Sequence, residues 1–216
     1  MGTAADFNRL WWEQQTTTFV PNRWLGVPCW QNPCDVWIIQ EIIGETRPDV
    51  IIETGTLAGG GALLWASLLA MFGDGHVITI DVEPRLHEAA NCHPLALDRV
   101  TFVTGSSTDP EIVRQVAAQT DGQRAMVILD SYHASNHVYR ELDAWAPLIT
   151  PGCYLVVEDG WVDFVTEPGS EFRPGPADAV TRWLPGHPEF EVDASRERML
   201  LSFCPGGFLR RRDETP

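Results

Sequence analysis

Apolar and polar positions along the chain fall into two regimes. Residues 1–37 mix helical spacing with breaks at Pro21, Pro28 and Pro33, and they hold five of the nine tryptophans: Trp11, Trp12, Trp24, Trp30 and Trp37. A helix, an irregular aromatic segment and a second helix over about 35–46 are expected there. From Val50 onward the pattern alternates. Short runs at 49–53, 76–80, 100–103, 125–129 and 153–157 read as buried strands. Helical spacing runs over 59–72 and 135–145, and Asp109-Pro110 opens another helix with an N-cap aspartate and a proline at the first helical position. Strands alternating with helices predict a doubly wound parallel sheet. The last apolar runs, 190–192 and 199–203, are separated by the polar stretch 193–198, which predicts an antiparallel hairpin.

The expected fold is therefore α/β: a mostly parallel, seven-stranded sheet closed by an antiparallel C-terminal hairpin. That is the architecture of Rossmann-like class I methyltransferases more than of a plain dinucleotide-binding fold. Residues 1–48 read as a helical, aromatic lid segment and 49–216 as the sheet domain, together one structural domain of 216 residues. The aromatic segment serves equally well as a lid or a subunit contact, and a homo-oligomer is the expected assembly.

Composition narrows the partners. The formal net charge is −15, which repels phosphate backbones, so nucleic acid is set aside. All fifteen basic residues are arginine, and the run Arg210-Arg211-Arg212 reads as a solvated tail. The longest apolar stretch, 62–72, is interrupted by Ser67 and falls short of the roughly 20 residues that span a membrane. The first twenty residues carry no apolar core of a secretion signal, so a cytoplasmic protein with five reduced cysteines is expected. His87 and Cys92-His93 lack a second pair at finger spacing, and zinc is not expected.

Candidate chemistry sits at the strand ends, where open α/β sheets bind ligands. Those ends carry Glu53, Asp81, Ser106-Ser107, Asp130 and Glu158-Asp159. After Glu53 come Gly55, Thr56, Gly59, Gly60 and Gly61, which do not match the spacing of a dinucleotide fingerprint, and no lysine exists for a phosphate loop. Read alone, these glycines serve helix packing as well as they serve a ligand. An opening carboxylate suits a cationic amine and a sulfonium better than a pyrophosphate. Asp81, one strand-helix-strand unit later, is placed to accept the hydroxyls of a ribose. Asp130, Glu158 and Asp159 would repel one another unless a cation lay between them, and an all-oxygen set favours Mg²⁺. The bland alternative is a helix cap and a wet loop. His133, three residues past Asp130, is a candidate general base, and His137 one turn later a supporting residue.

Taken together these residues resemble a family. The segment from Trp24 to Asp35, then Glu53-Thr54-Gly55-Thr56, Gly105 to Val113, Ile128-Leu129-Asp130-Ser131 with His133, Val157-Glu158-Asp159 and Pro205 to Arg210 are similar to the cephalosporin hydroxylase family. Despite its name, that family has a methyltransferase fold and includes O-methyltransferases of rhamnose and other deoxysugars in natural products. The resemblance implies S-adenosylmethionine held at Glu53, Gly55, Thr56, Gly59, Gly61, Asp81, Ser106, Ser107 and Asp130. It implies Mg²⁺ at Asp130, Glu158 and Asp159, His133 as the catalytic residue, and a glycosylated natural product as acceptor. Tyr132 stands where that family is expected to carry a small polar or acidic residue, which points it at the acceptor. The loop 160–176, with Trp161, is expected to help choose the acceptor. A catechol-like acceptor presents the same chelating pair as a vicinal diol. A hydroxylase component and a non-catalytic binding module are the rivals from other classes; the three carboxylates lack the paired histidines of a mononuclear iron oxygenase site.

Overall fold

The computed structural model describes residues 2–165 and 172–213. The chain opens with α1 (Gly2–Glu13) and α2 (Gln15–Thr18), then a small antiparallel hairpin of β1 (Arg23–Trp24) and β2 (Val27–Pro28). Next come α3 (Pro33–Thr46), β3 (Val50–Thr54), α4 (Gly60–Phe72), β4 (His76–Asp81), α5 (Glu88–Cys92), α6 (Pro94–Arg99) and β5 (Val100–Thr104). The second half runs α7 (Pro110–Gln119), β6 (Ala125–Leu129), α8 (Ser135–Trp145), β7 (Tyr154–Val157), α9 (Pro176–Trp183), β8 (Phe190–Val192) and β9 (Phe208–Arg211). Helix α3 starts two residues before the expected Asp35, because Asn32 accepts from the Cys34 amide and Pro33 takes the first turn.

Seven strands form the main sheet in the order β5-β4-β3-β6-β7-β9-β8. The first five are parallel, and β9 lies antiparallel between β7 and β8. Chain order reverses between β3 and β6, which opens a crevice beyond their carboxyl ends. The ladder continues into the loops there: Gly55 N donates to Ile80 O at 2.8 Å, Asp130 N to Thr54 O at 3.0 Å, and Glu158 N to Leu129 O at 2.9 Å. Loops that carry candidate chemistry are thus held in register by sheet bonds rather than left free.

Strand residues alternate between the two faces. Ile52, Ile78, Val127 and Leu155 pack with Trp145 of α8 and Trp183 of α9. Ile51, Val77, Met126 and Val156 pack with Ile38, Ile39, Ile42 and Ile43 of α3 and with Trp65 of α4. Both faces are buried, which is why the parallel strands read as continuous apolar runs.

Three expectations are corrected. Residues 199–203 are not a strand. Several of their backbone groups are taken by side chains instead: Asn8 donates to Ser202 O, Asn32 to Leu201 O, and Phe203 N donates to Asp35 Oδ2 at 2.7 Å. The antiparallel closing strand is β9, five residues further on. The basic run is not a solvated tail, since Arg210 and Arg211 belong to β9, Arg211 donates to the Pro147 carbonyl, and Arg212 pairs with Glu191. Helices α5 and α6 fill 88–99, which the apolar pattern left blank, and His87 and His93 cap them by accepting from the Ala89 and Leu95 amides.

Candidate active site

At the crevice a cavity of about 460 Å³ opens between the strand ends and the N-terminal segment. Its floor includes Gly55, Asp81, Ser106, Ser107, Asp130 and Asp159. Aromatic side chains form its walls: Trp12, Phe19 and Trp30 from the N-terminal segment, Tyr132 after β6, and Trp161 and Phe172 after β7. The loop expected to select the acceptor is only partly described; its residues 166–171 lie outside the described set.

The β3–α4 turn brings its glycines to different uses. Gly55 has φ +95°, and a Cβ there would sit 1.9 Å from the Asp130 carbonyl oxygen, so this turn tolerates no side chain. Gly59, at φ +85°, faces Leu86 and Ala90. A Cβ on Gly60 would strike the Pro28 carbonyl at 2.0 Å, and one on Gly61 would meet Glu53 Oε1 at 2.5 Å. Of the expected cofactor glycines, Gly55 lines the cavity, whereas Gly59 and Gly61 meet protein.

Glu53 and Thr56 also turn inward. Glu53 accepts from Trp65 Nε1 at 2.8 Å and from Thr79 Oγ1 at 2.6 Å, and Thr79 shares a further bond with Thr56. Burial pushes the Glu53 carboxyl up to about 7, although both bonds pull the other way. The structure thus places Glu53 in the packed interior beneath the turn, and Glu53 is not among the residues that line the cavity. Asp81 does reach the cavity. Its Oδ2 accepts from the Leu57 amide and its Oδ1 from the Glu83 amide, an arrangement that fixes a carboxylate at the end of β4.

Asp130, His133 and Asp159 each offer a ligand atom, and these atoms lie within 4.8 Å of one another. His133 Nε2 is 3.1 Å from Asp159 Oδ2. Trp161 Nε1 donates to Asp159 Oδ1 at 2.8 Å, and Gln31 Nε2 donates to Asp130 Oδ2 at 2.9 Å. Asp159 sits in the left-handed region at φ 56°, a conformation aspartate tolerates better than most residues and one that recurs at functional sites. Burial and then the Asp159 charge drive the Asp130 carboxyl well above its ordinary range. Glu158 is outside this close group among the described residues, yet burial and the charges of Asp130 and Asp159 raise it too, and its Oε1 is buried without a partner. Buried, crowded carboxylates with an orphaned acceptor beside them are of a kind that could hold a hard divalent cation.

His137 lies on the same wall as Ser106 and Ser107. Its Nε2 is 3.1 Å from Ser131 Oγ and 3.4 Å from Ser107 Oγ, and Ser131 in turn donates to the fully buried Glu141. Sequence reasoning singled out none of Gln31, Trp12, Phe19 and Phe172, although Trp12 and Phe19 fall within the expected lid segment and Phe172 within the expected acceptor loop. Only the clustering of aromatic residues before Trp37 hinted at a wall, and nothing local to Gln31 points at Asp130, 99 residues away.

A switch-point cavity, a carboxylate fixed at the end of β4 and a carboxylate–histidine cluster on a sheet of this order define the class: a Rossmann-like, S-adenosylmethionine-dependent methyltransferase. Within that class the chain belongs to the Rhamnosyl O-methyltransferase/CmcI family, whose model matches residues 16–212. It is 34% identical over 206 residues to the rhamnosyl O-methyltransferase of Mycobacterium tuberculosis, covering 93% of this chain and 82% of that one. The rhamnosyl O-methyltransferase of Mycobacterium leprae is 32% identical over 197 residues, at 88% and 82% coverage. Among solved structures the fold is similar to that of CmcI with Mg and S-adenosylmethionine, at TM-score 0.67 and 19% identity over 90% of this chain and 78% of that one. MycE from the mycinamycin biosynthetic pathway, solved with Mg and S-adenosylhomocysteine, matches at TM-score 0.50 and 20% identity over 70% of this chain and 39% of that one.

Proposed function

We propose that the chain methylates a hydroxyl of a deoxysugar, rhamnose-like, on a natural product, with S-adenosylmethionine as donor and Mg²⁺ as the required ion. The observation that carries this is the convergence of Asp130, His133 and Asp159 at the floor of an aromatic-walled cavity that also holds Asp81. Flat aromatic walls suit the apolar C–H faces of a sugar ring, and the rhamnosyl enzymes named above support that acceptor class.

Asp130 and Asp159, with Glu158 beside them, would hold the ion, and Asp81 would accept the ribose hydroxyls of the cofactor. When bound, the cofactor supplies an electrophilic methyl and the ion lowers the pKa of a coordinated hydroxyl. His133 takes the acceptor proton through Nε2 once Asp159 Oδ2, 3.1 Å away, no longer holds that nitrogen's hydrogen. Trp161 holds Asp159 through Oδ1, while His133 meets Oδ2. The aromatic walls exclude water and align the acceptor, and much of the rate gain comes from that positioning. Five free cysteines support a reducing, cytoplasmic setting.

The test is a panel of rhamnosides and catechols incubated with cofactor and Mg²⁺, read by mass gain of one methyl. Methylation of rhamnosides, lost in Asp130→Ala and in chelator while S-adenosylhomocysteine still binds, is the expected result. Methylation of catechols alone moves the acceptor to phenols. Full activity of Asp130→Ala in chelator sinks the metal role.

A further inference from the structure

The N-terminal segment does more than wall the cavity. Gln31 lies in the short connection between β2 and α3 and is 8% exposed. Its Nε2 donates to Asp130 Oδ2 at 2.9 Å across 99 residues of sequence. Its Oε1 is buried and has no partner among the described residues. Leaving a buried amide oxygen unmet costs roughly 1–3 kcal/mol, so a residue kept only for packing would be better as leucine or methionine.

The connection is also held firmly. Its first residues, Pro28 and Cys29, lie against Gly60 so closely that a Cβ there would be 2.0 Å from the Pro28 carbonyl. Cys29 N donates to Asn22 O at 3.1 Å. Asn32 accepts from the Cys34 amide and donates to Leu201 O at 3.1 Å. Gln31 is thus presented from a backbone fixed on both sides.

We infer that Gln31 is a positioning residue for the cation site. It orients the Asp130 carboxylate so that Oδ2 is held and the other oxygen is left for the ion. A hydrogen bond to a ligating carboxylate fixes its direction, and losing such a partner typically costs about 10–100-fold in metal affinity or activity. This inference rests on the proposed assignment of Asp130 as a cation ligand. It makes residues 28–32 a part of the active centre, not only a cover over it.

The test uses the full chain and Mn²⁺ as probe, with bound ion followed by electron paramagnetic resonance. Gln31→Met keeps the volume and removes the donor. Expected is Mn²⁺ binding at least about tenfold weaker, with S-adenosylhomocysteine affinity within about twofold of the parent. In turnover, KM for Mg²⁺ should rise while kcat at saturating Mg²⁺ is largely kept, a split that a loss of folding would not give. Gln31→Ala is the second variant should Gln31→Met fail to fold. Wild-type Mn²⁺ affinity in a folded Gln31 variant overturns the inference while leaving the metal reading intact. A parent chain that binds no Mn²⁺, or an Asp130→Asn variant that binds it as the parent does, overturns the metal reading and this inference with it.

Discussion

His133 stands between two roles that the geometry separates only by experiment. Its Nε2 is close enough to Asp159 to join the ligand group, and equally placed to hold an acceptor proton. The carboxylates already form an oxygen set for a hard ion, so the base role uses the histidine better. His133→Gln should therefore cut kcat by about 10²–10⁴-fold, and Mn²⁺ and cofactor affinities should stay near the parent values. A parallel collapse of Mn²⁺ affinity and turnover would make His133 a ligand instead. Asp159 matters to either role, because its left-handed backbone and its bond from Trp161 fix the oxygen that His133 meets.

The β3–α4 turn shows how far local sequence reaches. Its position after a β-branched strand was legible, and so were the strand ends that carry Asp81, Asp130 and Asp159, because buried parallel strands print as apolar runs that stop at the crevice. What each glycine does was not legible. Close approach to a ligand and close approach to protein demand the same residue, and only the fold shows Gly60 pressed on Pro28. Gly60→Ala should therefore push α4 off the 28–32 connection and destabilise the chain by about 1–3 kcal/mol. A lower urea midpoint at unchanged slope checks it, and a midpoint equal to the parent's would mean the connection yields freely. The run Met199 to Phe203 misled in the same way. It has the composition of a strand, but three of its hydrogen-bond partners, Asn8, Asn32 and Asp35, are more than 160 residues distant, and no local pattern records them. The side chains that Glu53 meets, Trp65 and Thr79, lie 12 and 26 residues on, and its place near the end of a strand did not announce them.

Across the whole molecule, the carboxyl edge of the sheet gathers buried acids. Burial raises Asp35 to about 6 and Glu53 to about 7, and it raises Asp130 and Glu158 as well. A carboxyl whose folded pKa exceeds its unfolded value favours the folded state while protonated. That advantage is present below the unfolded pKa and is lost as pH rises through the folded one. For Glu53 the window runs from 4.5 to about 7, and the parent protein's stability should fall across it. Glu53→Gln isolates this share. The glutamine oxygen can accept from Trp65, and its amide can donate to Thr79, whose hydroxyl then turns to Thr56. The contacts with Trp65 and Thr79 are kept in this arrangement, and no charge has to form. The stability difference between variant and parent should move in the variant's favour as pH rises from about 4.5 to 8, by an amount on the order of 3 kcal/mol. Parallel denaturation midpoints for the two proteins, measured without ligand over that range, check it. Curves that run parallel throughout would mean that Glu53 does not titrate in this window, and that the pH dependence belongs to other acids, Asp35, Asp130 and Glu158 among them.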